Sequence, residues 1–212
     1  MTPGWLLACA VLSAASLACS STTPTTPEST DSPKVVVLGD SLTAGPGLRA
    51  GETMPERLQE HVRAAGLPHA VVNAGVSGDT TADAVARLDR ALEPGVTVLV
   101  VALGANDGLQ GVPVPTVRRN LETILQRAQS RQLKILLCGM ETLPNRGMDY
   151  ALDFHNIYPD LAEQFKVPLM PFLLIDVIGR PELNFPDGLH PNAEGARVLA
   201  RSMWPFLEPL LR

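Results

Sequence analysis

Ser41, His190 and Asp187 are the residues whose types and spacing could do nucleophilic chemistry in this 212-residue chain. Ser41 stands in Gly39-Asp40-Ser41-Leu42, directly after the apolar run 35–38. A serine hydroxyl becomes a useful nucleophile only when a base takes its proton. Of the four histidines, His190 is the best placed to be that base, because it closes the segment Asp187-Gly188-Leu189-His190. A tight turn there brings carboxylate and imidazole together, and the carboxylate then fixes the ring tautomer and stabilises the imidazolium formed during attack. Attack on an ester carbonyl also needs donors aimed at the developing oxyanion. Gly78 offers a main-chain N–H that a ligand can approach closely, Asn106 a side-chain amide, and Ser41 its own N–H. Losing one such donor typically costs ~3–4 kcal/mol of transition-state stabilisation.

Each of these residues also has a plain reading. Asp40 and Ser41 are both good helix N-caps. Gly78 and Asn106 are ordinary turn residues, and Asp187-Gly188 is a common turn pair. Asp79 and Thr80 read as caps of a helix beginning at Thr81, and Asp107 as a residue that orders its own loop through local side-chain hydrogen bonds. His61, His69 and His155 read as structural or exposed. Cys138, in Ile135-Leu-Leu-Cys-Gly139, reads as a small buried hydrophobe. With Cys9 and Cys19 in the N-terminal apolar segment, the three cysteines supply neither an internal disulfide framework nor a thiolate metal site. No metal or cofactor is expected.

What must position these residues is legible as an alternation of short apolar runs and longer amphipathic stretches. Strands are expected at 34–38, 70–73, 96–102, 133–138 and 167–170, and helices at 54–65, 81–92, 114–131, 151–165 and from 193 to about 211. Within 81–92, Ala84, Val85, Leu88 and Leu92 fall at helical spacing and leave Asp83, Arg87 and Arg90 for the wet side. Strand–helix alternation of this regularity implies an α/β fold, a parallel sheet with helices on both faces. Ser41, Gly78 and Asn106 then all follow strands at the carboxyl edge, where open α/β sheets bind ligands. The stretch 108–115 reads either as the wall or lid of a pocket beside Asn106 or as a plain connection.

A net charge of −5 without a Lys/Arg cluster argues against nucleic acid as a partner, and 4% aromatic residues give no stacked platform for sugars. The 14 residues 5–18 are mostly apolar, too short to span a bilayer comfortably but suited to a signal-peptide core, although residues 1–4 carry no Lys or Arg. That segment ends Ala15-Ser-Leu-Ala-Cys19-Ser20, similar to a bacterial lipoprotein box in which Cys19 would be the acylated residue. Ordinary cleavage between 18 and 21 is the rival reading. Twelve of the 14 residues 20–33 are Ser, Thr or Pro and none is aliphatic or aromatic, which predicts a disordered spacer. The expected organisation is a signal peptide with lipobox at 1–19, a tether at 20–33 and one catalytic domain at 34–212.

Four segments, Gly39-Asp-Ser-Leu42, Ser77-Gly-Asp-Thr-Thr81, Gly104-Ala-Asn-Asp107 and Asp187-Gly-Leu-His190, resemble in this order the four sequence blocks of the SGNH (GDSL) hydrolase family. The likeness spans 34–212 and is greatest to the thioesterase, lysophospholipase and arylesterase group of that family. It rests also on Ile157-Tyr-Pro-Asp-Leu-Ala-Glu-Gln-Phe-Lys166 and on Asp187-Gly-Leu-His-Pro-Asn-Ala-Glu-Gly195. The resemblance implies a flavodoxin-like three-layer α/β/α sandwich on five parallel strands. It implies Ser41 as nucleophile, His190 as general base, Asp187 as its orienting partner, and Gly78, Asn106 and the Ser41 amide as oxyanion hole. The chain departs in reading Gly-Ala-Asn-Asp where Gly-Gly-Asn-Asp is commoner, and in carrying the lipobox and tether. The expected function is a serine esterase or thioesterase acting on small ester or thioester substrates such as aryl esters, acyl-CoA or lysophospholipids. The chain is expected to be monomeric, exported to the periplasm or outer membrane, and anchored there by its N-terminal lipid. A carbohydrate O-deacetylase of the same fold and a non-catalytic lipid-anchored binding protein are the alternatives.

Overall fold

Val35, Val36, Val37 and Leu38 are too apolar to tolerate water on either side. In a computed structural model of the chain, which describes Met1 and residues 32–212, they form the centre of β1 (Lys34–Gly39) and are fully buried. The signal segment with Cys19, and the spacer apart from its last two residues, lie outside the described residues. After β1 come α1 (Ser41–Ala44), α2 (Met54–Ala64), β2 (Ala70–Gly75), α3 (Thr81–Ala91), β3 (Val96–Ala102), α4 (Ala105–Gln110) and α5 (Val114–Ser130). The chain continues through β4 (Lys134–Cys138), α6 (Met148–Phe165), β5 (Leu169–Met170) and α7 (Ala193–Leu207).

All five expected strands form, and the run at 167–170 contributes only the two residues of β5. The helix expected from 151 begins at Met148, and the one expected to reach 211 passes into a 3-10 turn at Glu208–Leu211. Two short helices, α1 and α4, are additional. At four and six residues they are too short to show a hydrophobic period. They nonetheless carry Ser41 and Asn106.

The sheet is wholly parallel in the order β2-β1-β3-β4-β5, the flavodoxin-like doubly wound arrangement, in which ligands sit where the strand order reverses, between β1 and β3. Helix α2 packs against α7, and α3, α5 and α6 pack in series, so the sheet lies between two helical layers. Register decides what stands together at the edge. Gly39 pairs with Gly75 of β2 on one side and with Ala102 of β3 on the other. The loops after β1, β2 and β3 therefore leave the sheet at one height.

The outer edge of β2 is blunted by Gln59 of α2, whose Oε1 accepts from the Val71 N–H at 2.7 Å and whose Nε2 donates to the His69 carbonyl at 3.1 Å. At its carboxyl end, Gly75 lets α1 lie directly on the strand, since a Cβ there would sit 2.3 Å from the Ala44 nitrogen. Gly75→Ala must push α1 away from the sheet. It is expected to lower stability in urea unfolding by about 1–3 kcal/mol, the usual range for forced overpacking; an unchanged unfolding midpoint would contradict this packing.

Candidate active site

Asp40 settles which residue caps and which is free to react. It is the N-cap of α1, and its Oδ1 accepts from the Leu42 N–H at 2.9 Å. Ser41 is thereby the first helical residue, with its hydroxyl released from capping. The helix is closed after one turn by Gly45 in the left-handed conformation. Gly39 makes this turn possible, because a Cβ on it would meet Thr43 Oγ1 at 2.0 Å.

The Ser41 hydroxyl lies 3.0 Å from His190 Nε2, across 149 residues of sequence. His190 Nδ1 lies 2.7 Å from Asp187 Oδ2. The turn expected at 187–190 forms as an Asx-type turn: Asp187 Oδ1 accepts from the N–H groups of Leu189 and His190 at 2.9 and 3.0 Å, with Gly188 at φ +68°. These bonds hold Asp187 acidic. The His190 N–H is the largest influence, followed by the His190 ring and the Leu189 N–H, and together they lower its pKa to about 2. The turn is itself anchored, since the Phe185 N–H donates to the His190 carbonyl at 2.8 Å. Asn192 caps α7 through the N–H groups of Glu194 and Gly195 and donates its own amide to the Glu182 carbonyl. With neutral imidazole, Ser41 O–H donates to Nε2 and Nδ1–H to Asp187, the order of donors that a base-activated nucleophile requires.

Gly78 and Asn106 stand beside this relay. Gly78 is exposed at φ +88°, a conformation that favours glycine, with open space where a side chain would be. Asn106 lies on α4, whose N-cap Gly104 is pressed against Tyr158: a Cβ at 104 would meet the Tyr158 hydroxyl at 2.0 Å. The Asn106 amide donates to the Asp79 carbonyl at 2.9 Å and lies 3.5 Å from Asp40 Oδ2. It thus sits between the neighbour of Gly78 and the neighbour of Ser41. The 3.5 Å contact is at the limit of a hydrogen bond. Ser41, His190 and Asp187 are thus joined by contacts within hydrogen-bond distance, while Asn106 reaches the residue before Ser41 and the residue after Gly78.

Several neighbours behave differently from expectation. Asp107 does not order its own loop. Its buried carboxylate accepts from Thr81 N–H and Oγ1 at 2.8 and 2.7 Å, tying α4 to the start of α3, and burial raises its pKa. Thr80 caps α3 in a capping box with Asp83, but Asp79 does not cap. Its Oδ2 pairs with Arg87 Nε at 2.5 Å, and Arg87 Nη2 donates to the Gly39 carbonyl at 3.0 Å. Arg87, expected on the wet side of α3, is therefore turned inward. The helical period placed its Cα correctly, but a long side chain can reach back over its own helix to a partner that no local pattern reveals. An Asp-Arg pair eight residues apart in sequence carries no signal of contact.

The stretch 108–115 completes α4 and leads into α5, held at two points by Arg146 Nη2 on the Leu109 carbonyl (3.0 Å) and the Tyr150 hydroxyl on the Val112 carbonyl (2.9 Å). His61 stacks on Trp204, and His155 Nδ1 contacts Glu141 at 2.6 Å. Cys138 is buried among apolar residues, which pushes its thiol up to about 12. Among the described residues, no group of three or more His, Cys, Asp or Glu is placed to hold a metal ion. A cavity of about 450 Å³ lies not over Ser41 but along the exposed face of β2, lined in part by Val36, Val72, Val76 and Arg87.

A model of the GDSL-like lipase/acylhydrolase family matches residues 37–198. An arylesterase of Vibrio mimicus is 39% identical over 170 residues, 80% of this chain and 85% of its own. The thioesterase 1/protease 1/lysophospholipase L1 of Escherichia coli K12 is 36% identical over 178 residues, 84% of each chain. Among solved structures, the crystal structure of TesA matches with a TM-score of 0.79 at 36% identity, covering 84% of this chain and 99% of its own.

The carboxylate next to Ser41 generates a pH prediction. Asp40 is fully buried, and burial raises its pKa from 3.8 to about 6. A pKa higher in the folded than in the unfolded state contributes stability below the unfolded value that is lost as pH rises through the folded one. At about 1.4 kcal/mol per pH unit, the loss is about 3 kcal/mol between pH 4 and pH 7. Asp40→Asn keeps the acceptor for Leu42 and removes the titration. Its stability in urea relative to wild type should therefore improve by up to about 3 kcal/mol across that window; a constant difference would refute the assignment.

Proposed function

The chain belongs to the GDSL-like lipase/acylhydrolase family and is a carboxylic ester hydrolase, and we propose that it works through an acyl-enzyme formed on Ser41. The observation that carries this reading is the unbroken relay from Asp187 through His190 to Ser41, with both ring nitrogens of His190 engaged at 2.7 and 3.0 Å. His190 Nε2 takes the Ser41 proton as Oγ attacks the acyl carbon. The carbonyl oxygen gains the charge and is met by the N–H groups of Ser41 and Gly78 and the amide of Asn106. Asp187 stabilises the imidazolium. The tetrahedral adduct then collapses, His190 protonates the departing alcohol or thiol, and a water activated by the same imidazole releases the carboxylate and restores Ser41.

The substrates we propose are esters and thioesters with an apolar acyl chain, the range spanned by aryl esters, acyl-CoA and lysophospholipids. Large apolar side chains are exposed at Leu109, Leu143, Met148 and Leu152, in segments that follow β3 and β4 on the side of the sheet where Ser41 stands, and at Leu189 next to His190. Exposed apolar groups gathered at one edge favour a partly apolar ligand. The proposal includes 34–212 as a monomeric catalytic domain, and 20–33 as a spacer behind a lipid anchor on Cys19 that holds the exported enzyme at a membrane. Among the described residues, no helix is long and apolar enough to cross a membrane, so attachment would depend on the N-terminal segment.

Hydrolysis of p-nitrophenyl esters from acetyl to palmitoyl, with wild type and Ser41→Ala in parallel, tests the reaction. Wild type is expected to accept a range of chain lengths, and Ser41→Ala to lose at least about 10³-fold in kcat/KM. Activity surviving in the variant removes Ser41 as nucleophile. Activity confined to acetyl esters points instead to a deacetylase, and none on any ester to a binding protein. For the anchor, Cys19→Ala is expected to move the protein from the membrane to the soluble fraction after cell fractionation; retention at the membrane rules the lipidation out.

A further inference from the structure

We propose that Arg87 is a positioning residue for the oxyanion side of this site, holding Gly78 and Asn106 in place relative to Ser41; the proposal rests on the acyl-enzyme reading above. Three loops must agree in position for the oxyanion donors to converge, and one guanidinium bonds to two of them directly and reaches the third through Asp79. Arg87 Nη2 donates to the Gly39 carbonyl at 3.0 Å, one peptide before Asp40-Ser41. The same carbonyl accepts from the Val76 N–H at 3.0 Å, two residues before Gly78. Arg87 Nε donates to Asp79 Oδ2 at 2.5 Å, one residue after Gly78, and the Asp79 carbonyl accepts from the Asn106 amide at 2.9 Å.

Gly78 cannot hold itself. It has no side chain, and nothing lies within 4 Å of where one would be. The direction of its N–H is set by Val76 and Asp79 on either side, which also bond to each other from Asp79 N–H to the Val76 carbonyl at 3.2 Å. Arg87 meets this short loop at both ends, through Gly39 and through Asp79. It also neutralises the Asp79 carboxylate, whose side chain is only 11% exposed. Without the guanidinium, that charge would stand uncompensated one residue from Gly78. Both effects act on a charge that exists only in the transition state, so they belong to kcat rather than to KM.

Anchoring α3 is the duller role that Arg87 could serve, but α3 has other anchors. Its start is held by the Thr80–Asp83 capping box and by Thr81 on Asp107, and Ala84 and Leu88 are fully buried in the core. The fork geometry matters too. A guanidinium reaches two acceptors with fixed geometry, whereas a lysine ammonium is a point donor on a flexible stem.

The test measures kcat and KM on p-nitrophenyl butyrate for the full-length protein, wild type, Arg87→Ala, Arg87→Lys and Ser41→Ala, with melting temperatures alongside. Arg87→Ala is expected to lose about 10- to 100-fold in kcat, the scale of a misplaced catalytic group, with KM within about twofold of wild type. Arg87→Lys should fall between. Because Arg87 lines the open 450 Å³ cavity, millimolar guanidinium is expected to restore part of the kcat of Arg87→Ala. An unchanged kcat, a defect in KM alone, or a kcat loss that guanidinium leaves untouched would overturn the proposal. If Arg87→Ala does not fold, Asp79→Asn decides, since it keeps the main-chain carbonyl for Asn106 but removes the charged partner. A kcat-selective loss there supports the role, and wild-type kcat overturns it. Ser41→Ala separates the two readings. Activity persisting in that variant defeats the acyl-enzyme itself, whereas an inactive Ser41→Ala beside a fully active Arg87→Ala defeats only the role of Arg87.

Discussion

Gly39 is hydrogen-bonded into the sheet between Gly75 and Ala102, and most of what the site needs depends on that level pairing. Parallel strands in register release their loops at one edge and one height. A shift of one residue in β1 would turn every buried valine to the opposite face and carry Ser41 with it. The small residues at this level serve the same end. Glycine at 39 and 75 lets α1 lie against two strand ends at distances that a Cβ would forbid. The single turn of α1 then presents Ser41 while Asp40 does the capping.

Two carboxylates close to the serine live in opposite environments, and the difference follows from their hydrogen bonds. Asp187 is exposed and takes two main-chain N–H bonds as well as the imidazole, so its charge is favoured and its pKa drops to about 2. Asp40 is fully buried and takes one, from Leu42, so desolvation wins and its pKa rises to about 6. Only the first touches the imidazole, through Nδ1 of His190 at 2.7 Å. The second serves as a cap and stands 3.5 Å from the Asn106 amide.

The loops around this centre are held by bonds between elements more than by bonds within them. Asp107 reaches Thr81, Tyr158 reaches the Leu103 carbonyl, Arg146 and Tyr150 reach the carbonyls at 109 and 112, and Arg87 joins Gly39 to Asp79. Each donor or acceptor satisfied in this way is a main-chain or carboxylate group that would otherwise be stranded at the end of a buried strand or short helix. A site on loops can be as well fixed as one on strands when its main-chain groups are so occupied.

Legible in the sequence were the α/β alternation, the five strands, the main helices and the turn from Asp187 to His190. These are local properties: a buried strand writes its burial in four consecutive apolar residues, and an Asp-x-x-His turn is complete within four positions. Contacts between distant segments settled the rest. They chose Asp40 over Ser41 as cap, sent Asp107 to Thr81 rather than to its own loop, and drew Arg87 from the wet face of α3 onto Asp79 and Gly39. Those outcomes depend on which chain segments the parallel register brings within about 3 Å of one another. A pairing between a turn and the middle of a helix, or between residues 149 apart such as Ser41 and His190, leaves no period in the sequence to read.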